Sequence, residues 1–266
     1  MDELTRVALA AADAAAAIHR RDRGRVVLEA ASAKGRADYV SLTDMDAQRA
    51  ALEVIRSVYP DHGILAEEDP RPLPERIAEG DGSPLWVVDP LDGTANFLHG
   101  HPQHAASVAV TMDGRPVAGA VVCGPTGERW WAGRGQGAFK SGTAIRVSPA
   151  RPLEDALVGT GFPFKRLTEL PRYLAQLGRV LSACSGVRRG GAASLDLCYL
   201  AQGSLDAFWE LILNPWDFAA GWIIVEEAGG VLTRLDGHPL TLAETTVRGA
   251  NGPVLLEALA DVVGTT

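Results

Sequence analysis

Hydrophobic residues recur at helical spacing at the start of the chain. Within residues 4–18 the apolar side chains fall three or four positions apart, and many are alanine, which favours the helix intrinsically. A second such pattern covers residues 44–59, with Pro60 closing it and Thr43 or Asp44 as the expected N-cap. The pattern therefore predicts two amphipathic helices ahead of the first strand.

Short runs of apolar and β-branched residues dominate the next part of the chain. An apolar piece at 63–66 is followed by a loop rich in Pro, Glu and Gly at 69–84. The expected strands then cover residues 85–88, 105–112, 116–123, 129–132 and 144–147. Because the connections between them are short, we expect an antiparallel sheet.

Helices and strands alternate in the second half of the chain. The pattern predicts strands near Leu157 and Val187 and at 207–210 and 231–234, and helices at 171–182, 193–201 and 218–228. Such alternation indicates an α/β half that follows an α+β half. The prolines at 149 and 152 suggest a boundary between residues 1–147 and 148–266, although this stretch could equally be a loop within one domain.

Composition places the chain among folded globular proteins. Its 266 residues are 47% hydrophobic and 22% charged, which is enough chain to bury a real core, and no apolar run reaches the length of a membrane span. The net charge of -8 argues against a protein whose affinity depends on neutralising a nucleic-acid backbone. The three widely spaced cysteines and the charged, signal-free start favour a cytoplasmic location.

Candidate chemistry gathers where the strand at 85–88 ends. Asp89 and Asp92 follow it, with Pro90 between them. Because proline fixes its own backbone angle, the turn could direct both carboxylates and the Leu91 carbonyl to one point, and hard oxygen ligands suit Mg²⁺. The sequence thus suggests a metal site.

An anion site is expected directly after these carboxylates. Gly93 and Thr94 would offer free amides at the start of a helix, where a phosphate is favoured. Taken alone, the Asp-x-x-Asp-Gly spacing is more typical of a surface turn. Acidic residues at 67–69, after the short strand, and Asp217, before a helix, shift the balance towards metal chemistry.

Several stretches resemble, in order and spacing, the motifs of the inositol monophosphatase family. The four most specific are DYVSLTD at 38–44, ILAEE at 64–68, DPLDGTANF at 89–97 and WDFAAG at 216–221. Weaker similarity at 131–139, 160–163, 188–193 and 226–230 extends the resemblance over nearly the whole chain. It implies a layered αβαβα fold and a Mg²⁺-dependent, lithium-sensitive phosphatase acting on a phosphate monoester.

The resemblance also implies which residues hold metal ions. Glu67, Asp89 and the Leu91 carbonyl match the ligands of a first Mg²⁺, and Asp89, Asp92 and Asp217 match those of a second. Glu67 could help to bind a third ion. The N-terminal half would therefore carry most metal ligands, and the C-terminal half Asp217 and the substrate-ring contacts.

Catalytic and substrate-binding roles are implied in the same way. The implied catalytic residues are Thr94, Asp44 and Glu67, with Thr94 paired to Asp44 to activate water. The implied substrate contacts are Asp92, Gly93, Thr94, Ala193 and Glu210. Gly190 and Ala192 stand where relatives often carry hydroxyl side chains, and Ala66 replaces a frequent glycine.

The reaction expected from the resemblance is hydrolysis of inositol 1-monophosphate to myo-inositol and phosphate by metal-activated water. No Gly-x-Ser-x-Gly elbow is present, which agrees with a route that has no covalent intermediate. Histidinol phosphate is the first alternative substrate, followed by fructose 1,6-bisphosphate and adenosine 3′,5′-bisphosphate. A homodimer with a small-molecule substrate, and without membrane or direct nucleic-acid partners, is expected.

Two readings of a different class stay open. Some relatives serve as interaction proteins in which catalysis is secondary, and a passive divalent-metal binder would share the same ligands. A transition-metal site at His99, His101 and His104 is disfavoured because imidazole suits zinc or copper better than Mg²⁺. We expect those histidines to be loop groups near the mouth of the site.

The glycine-rich run at 133–137 is expected to form a hairpin turn, because glycine readily adopts the positive φ angles of such turns.

Overall fold

The computed structural model describes residues 1–25, 32–35, 38–78 and 82–264. The helices are α1 (Glu3–Asp22), α2 (Leu42–Val58), α3 (Leu73–Ala78), α4 (Thr94–Leu98), α5 (Leu170–Ala183), α6 (Ala193–Ala201), α7 (Pro215–Glu227) and α8 (Pro253–Val263). None of these helices is long and apolar enough to cross a membrane.

The strands form two large sheets and one small one. They are β1 (Ser32–Gly35), β2 (Asp38–Val40), β3 (Gly63–Ala66), β4 (Leu85–Asp92), β5 (Ala105–Met112), β6 (Arg115–Cys123), β7 (Arg129–Gly133), β8 (Gly137–Lys140), β9 (Thr143–Ile145), β10 (Leu157–Thr160), β11 (Gly186–Arg188), β12 (Ala207–Glu210), β13 (Val231–Thr233) and β14 (Val247–Ala250). The first large sheet runs in chain order from β3 to β9, and its pairs are antiparallel except β3 with β4.

The second large sheet is mixed. Its strand order is β11-β10-β12-β14-β13, with β10 parallel to both of its neighbours and β14 antiparallel to both of its own. The small sheet pairs β1 with β2. The change from a meander to crossover connections follows the change in sequence rhythm near residue 148, because parallel neighbours need a helix between them.

Helices and sheets stack in five layers. Helices α1 and α2 cover one face of the first sheet, α6 and α7 lie between the two sheets, and α5 and α8 cover the outer face of the second. Each interface between layers has an apolar core, and the largest lies around α6 and α7. The predicted αβαβα architecture is confirmed.

The division into halves at residue 147 stays a prediction. The two large sheets lie on either side of it, but α7 from the second half covers β5 and β6 of the first. The halves therefore share a buried layer.

Several element predictions differ from the structure. Helix α2 starts earlier, with Ser41 as its N-cap, because Asp44 occupies the third position of a capping box and returns its carboxylate to the Ser41 amide. Helix α3 lies inside the stretch predicted as loop, and β1, β2, β8, β14 and α8 were not predicted, so two short strands precede the second helix. The missed strands and α3 carry too few residues for a periodic signal, whereas α8 is 11 residues long and was overlooked.

The glycine-rich run is a hairpin turn, as predicted. It joins β7 to β8, and Gly135 and Gly137 both have positive φ. The Glu227 carboxylate at the end of α7 accepts hydrogen bonds from the amides of Gly135 and Gly137 at 2.7 and 2.8 Å. The turn thereby anchors the middle helix layer to the sheet.

Candidate active site

Strand β4 carries a bulge between the two predicted carboxylates. Asp89 pairs with Ser107 and Asp92 pairs with Ala105 on β5, so one extra residue of β4 is accommodated between these pairs. Pro90 lies inside the bulge, where its missing N–H costs no ladder hydrogen bond. Both carboxylates consequently turn towards the same point.

Three carboxylates converge at this bulge. Oxygens of Asp89, Asp92 and Asp217 all lie within 4.8 Å of one another. Burial raises the pKa of Asp89 well above its usual range, and the nearby charges of Glu67, Asp92 and Asp217 raise it further. Burial and the charge of Asp217 likewise raise the pKa of Asp92. Such a concentration of negative charge is stabilised only by protons or by a cation.

Backbone amides orient the two carboxylates of β4. Asp89 Oδ1 accepts a hydrogen bond from the Leu91 amide at 2.9 Å. Asp92 Oδ2 accepts from both the amide and the hydroxyl of Ser194, at 2.8 and 2.6 Å. Ser194 lies in the first turn of α6, so the unsatisfied amides of a helix end hold this acidic side chain.

Helix capping orients two further carboxylates. Asp217 is the third residue of α7, and its Oδ2 accepts a hydrogen bond from the Asn214 amide at 2.6 Å. Asp44 holds the equivalent position in α2, where its Oδ2 accepts from the amide and hydroxyl of Ser41. Local capping chemistry therefore fixes these side chains before any ligand arrives.

Thr94 joins Asp44 to the carboxylate cluster. Its Oγ1 lies 3.1 Å from Asp44 Oδ1 and 3.0 Å from the carbonyl oxygen of Leu91. The hydroxyl has one proton to donate to these two acceptors and keeps lone pairs of its own. Burial raises the pKa of Asp44 despite the opposing hydrogen bonds from Ser41.

Glu67 and Gly93 complete the floor of a cavity of about 370 Å³. Glu67 follows β3, and its charge acts on Asp89. Gly93 precedes α4 with a φ of 88°, and a side chain on it would collide with the Gln103 carbonyl oxygen. Only glycine fits here, so the chain can turn directly from the carboxylate bulge into α4.

The opposite wall of the cavity carries Glu210 and Ala193. Burial raises the pKa of Glu210, as do the charges of Asp217, Asp196 and Asp92, while Arg189 opposes the shift. Gly161 makes room for this side chain, because a methyl group there would overlap the Glu210 carboxylate. Ala193 is the first residue of α6 and also lines the cavity. All the sequence-predicted site residues therefore line this cavity or contact residues that do.

Sequence reasoning missed Ser194 and Asp196. Ser194 holds Asp92, and Asp196 is a buried carboxyl whose pKa is raised by burial and by the charge of Asp92. The Arg189 guanidinium packs over the rings of Phe162 and Phe164 at the cavity mouth, 5.4 and 5.3 Å from their centroids. The place of Ser194 at the start of α6 agrees with the predicted helix, but its partner Asp92 lies 102 residues away.

The three predicted loop histidines do not share one environment. His99 lines the cavity, and His101 lies outside it. His104 is buried, at 3% exposure, and packs against His19 with 5.4 Å between ring centroids. The prediction that it lies near the mouth is therefore wrong, because β5 begins at the next residue and carries it inward.

The buried His104 gives an acid-sensitive contribution to stability. Burial lowers its pKa from 6.5 to about 4, with further lowering by the charges of Arg23 and His101. Because the folded-state pKa is depressed, the unfolded chain binds the proton more tightly, and stability falls as the pH drops below 6.5. The loss between pH 7.5 and 5.5 is about 1 kcal/mol for this residue.

We expect His104→Leu to remove this loss. The unfolding free energy of the variant relative to the wild type should rise by about 1 kcal/mol when urea denaturation is repeated at pH 5.5 instead of 7.5. Taking the difference between the proteins cancels the contribution of carboxyl groups common to both. A difference that is independent of pH would contradict the assignment of a neutral buried His104.

The donor set fits a hard divalent cation. The clustered groups are carboxylates, and with the carbonyl of Leu91 they offer only oxygen atoms, which magnesium, calcium and manganese prefer. The raised pKa values of Asp89 and Asp92 show how unfavourable the site is without positive charge. A bound cation would relieve that repulsion.

Comparison with known proteins agrees with this geometry. The pattern of the inositol monophosphatase family matches residues 1–265. The chain belongs to the inositol monophosphatase family. An inositol-1-monophosphatase of Rhizobium meliloti is 43% identical over 91% of this chain and 89% of its own length.

Other members of the inositol monophosphatase family carry a different name. A protein of Pseudomonas aeruginosa called Nus factor SuhB is 41% identical over 89% of this chain and 87% of its own length. The crystal structure of the extragenic suppressor protein suhB from Bartonella henselae superposes with a TM-score of 0.88 at 37% identity, covering 98% of both chains. Family membership makes this chain a phosphoric monoester hydrolase and confirms that prediction.

Proposed function

We propose that this protein hydrolyses myo-inositol 1-phosphate to myo-inositol and inorganic phosphate with Mg²⁺ as its cofactor. The observation that carries the proposal is the set of amide-oriented carboxylates, Asp89, Asp92 and Asp217, on the floor of one cavity. Glu210 on the facing wall supplies a hydrogen-bond acceptor for ring hydroxyls. Lithium sensitivity belongs to the same proposal.

Two or three Mg²⁺ ions would be held by this acidic floor. Their ligands would be Glu67, Asp89, the Leu91 carbonyl, Asp92 and Asp217. When bound, Mg²⁺ would supply positive charge that neutralises the phosphate, favours ionisation of water and stabilises the departing alkoxide.

The protein's own groups would position the attacking water. Thr94 Oγ1 donates its proton to Asp44 Oδ1. The lone pairs of Thr94 Oγ1 can therefore accept a hydrogen bond from water. Because burial raises the pKa of Asp44, this carboxylate can take up the proton that water loses through Thr94. The amides of Gly93 and Thr94 would hold the phosphoryl oxygens, and the ester oxygen leaves with a proton from solvent.

Histidinol phosphate is the second candidate substrate. A specific observation favours it, because the charges of Asp217, Asp196 and Asp92 raise the pKa of Glu210, so an ionised Glu210 on this wall carries an electrostatic cost. A substrate ammonium group would relieve that cost, whereas inositol offers only neutral hydroxyls.

An interaction role is the alternative of another class. It draws support from relatives named Nus factor SuhB, while the net charge of -8 disfavours direct RNA binding. We propose a cytoplasmic homodimer as the working form. Gel filtration with light scattering would measure the mass of the assembly and test the dimer.

The experiment that tests the function is phosphate release from both substrates in parallel. We expect Mg²⁺-dependent turnover of myo-inositol 1-phosphate that exceeds turnover of histidinol phosphate and disappears with chelator. A preference for histidinol phosphate would overturn the inositol assignment and keep the phosphatase. Failure of both substrates in the presence of bound Mg²⁺ would favour the interaction role, which capture of partner proteins on the immobilised chain would then address.

Ser194→Ala provides a prediction about metal binding. The variant loses the 2.6 Å hydroxyl contact to Asp92 but keeps the amide contact, so Asp92 is held less firmly. We expect about tenfold weaker Mg²⁺ binding in calorimetric titration, in line with other groups that orient metal ligands. Ser182→Ala is the control, because the Ser182 hydroxyl donates to the Gly178 carbonyl oxygen within its own helix, α5. Equal affinities for the two variants would contradict the role of Ser194.

A further inference from the structure

His19 lies on α1, outside every motif that carries the family resemblance. Its ring is fully buried at 0% exposure in the last turn of the helix. His19 Nε2 lies 2.7 Å from the carbonyl oxygen of Pro90, which is 71 residues away in the chain. Because a carbonyl can only accept, Nε2 must carry the ring proton and donate it.

The partner carbonyl belongs to the peptide unit between the two metal-site carboxylates. The carbonyl of Pro90 and the N–H of Leu91 are the two ends of one planar group. Its N–H end donates to Asp89 Oδ1 at 2.9 Å. His19 therefore holds the oxygen end of the same peptide plane whose nitrogen end orients Asp89.

The sheet itself does not fix this peptide plane. Strand β4 pairs with β5 at Asp89 and at Asp92, and the two residues between them lie in the bulge, outside the register. A bulged peptide has no regular ladder partner on that side. Rotation of this plane would swing the Leu91 N–H away from Asp89, so an anchor on its oxygen end has a direct consequence at the cluster.

His104 is the natural comparison for His19. Both rings are buried, both contact Phe97, and both Nδ1 atoms lack a hydrogen-bond partner within the described part of the chain. The two rings share the space beside Gly124, where a methyl group would lie 2.9 Å from His19 Nδ1 and 2.7 Å from His104 Nδ1. Of these two histidines, His19 is the one that lies within hydrogen-bond distance of the Pro90 carbonyl oxygen.

Protonation does not disturb this arrangement near neutral pH. Burial lowers the pKa of His19 from 6.5 to about 3, and the neighbouring His104 lowers it further. The ring is therefore neutral, with its single proton on Nε2. The donor to Pro90 is present throughout the range in which the enzyme would work.

We infer that His19 is a positioning residue for the metal site, acting through the Pro90–Leu91 peptide to hold the Asp89 carboxylate. The inference rests on the proposed function, since the bound cation is Mg²⁺. The positioning role of His19 differs from a purely structural role in one measurable respect. A structural histidine would contribute to unfolding free energy alone, whereas this one changes the affinity of the folded protein for the metal.

Two amide variants separate these roles. In His19→Gln the side-chain amide N–H lies about as far from the backbone as His19 Nε2, so it can still donate to the Pro90 carbonyl oxygen. In His19→Asn the side chain is shorter by one methylene, and its amide N–H does not reach that oxygen. Both bury a similar polar group, so their stability costs are similar. We expect His19→Asn to bind Mg²⁺ about tenfold more weakly than the wild type, and His19→Gln to bind within about threefold of it.

The measurement is calorimetric titration of Mg²⁺ into substrate-free protein, at a temperature where urea denaturation shows each variant to be folded. His104→Leu should retain wild-type affinity. At saturating Mg²⁺, kcat of His19→Asn should recover to within about threefold of the wild-type value, because the defect lies in metal binding.

Three results would overturn the inference. They are equal Mg²⁺ affinity of the Asn and Gln variants, wild-type affinity of the Asn variant, and an equal loss in His104→Leu. If the wild type itself binds no Mg²⁺, the proposed function fails instead. If the Asn variant does not fold, a tenfold loss in His19→Gln also counts against the inference, because that variant keeps the donor.

Discussion

Replacing Asp92 by Asn lowers kcat for phosphate release by about 1,000-fold, while the folded protein becomes more stable in chelator. The loss of activity follows from the removal of one charge from the proposed metal floor, where preorganised charges have their largest effect. The side chain keeps its shape, and its amide oxygen can still accept from the Ser194 amide and hydroxyl.

Stability is expected to rise although activity falls, because the three carboxylates of the cluster repel one another in the absence of a cation. Asp92 is buried beside Asp89 and Asp217, and burial together with the charge of Asp217 raises its pKa. An amide carries no such penalty. We expect the melting temperature in chelator to rise by about 2–4 °C, which corresponds to about 1 kcal/mol for a chain of this size.

Asp13→Asn is the matched control for Asp92→Asn. Asp13 pairs with Arg129 on the surface, 2.7 Å away, so the same chemical change should leave kcat and the melting temperature nearly unchanged. Phosphate release and calorimetric melting are measured on all three proteins. Retained turnover in Asp92→Asn, or a lower melting temperature in chelator, would contradict the proposed role of the cluster.

Replacing Gly119 by Ala destabilises the protein by about 1–3 kcal/mol and weakens Mg²⁺ binding at the same time. Gly119 lies in the middle of β6, where α7 crosses the sheet. A methyl group on it would lie 2.9 Å from both the Cα of Ala220 and the Cγ2 of Ile223. The backbone of α7 would have to move away from the sheet.

The effect on metal binding follows from what α7 carries. Asp217 lies in its first turn, and its position relative to Asp89 and Asp92 depends on how closely the helix approaches β6. Urea denaturation and Mg²⁺ titration measure the two effects separately. We expect both to change in Gly119→Ala.

Gly178→Ala serves as the control for Gly119→Ala. Gly178 lies on the exposed side of α5, where an added methyl group would have no neighbouring atom within 4 Å. The same substitution there should be neutral or stabilising by up to about 1 kcal/mol, because alanine favours the helix. If Gly119→Ala is no more destabilising than this control, the close approach of α7 to β6 does not limit the fold.

The helices and strands that were predicted correctly are those with a clear local signal in the sequence. The bounds of α6 and β12 agree with the predicted ones, because each is a short, largely apolar run that follows a glycine-containing turn. The first sheet was also predicted as an antiparallel meander. The elements that were missed, such as β8 and α3, are four and six residues long.

The chemical identity of the site was also readable locally. Asp89, Asp92 and Gly93 are close in sequence, and the bulge, the proline and the left-handed glycine all act over a few residues. The capping boxes of α2 and α7 are local as well, although we expected a different N-cap for α2. Sequence was sufficient here because these hydrogen bonds join residues within one turn.

The sequence by itself supplied the candidate metal and phosphate ligands and, through the resemblance to the family motifs, the layers of helix and sheet. Only the tertiary structure decided how Asp92 and the Pro90–Leu91 peptide are held, because Ser194 reaches Asp92 across 102 residues and His19 reaches Pro90 across 71. Contacts of that kind leave no periodic or local signal. They arise where packed layers bring a helix end against a strand, and there the geometry of the whole chain sets the distance.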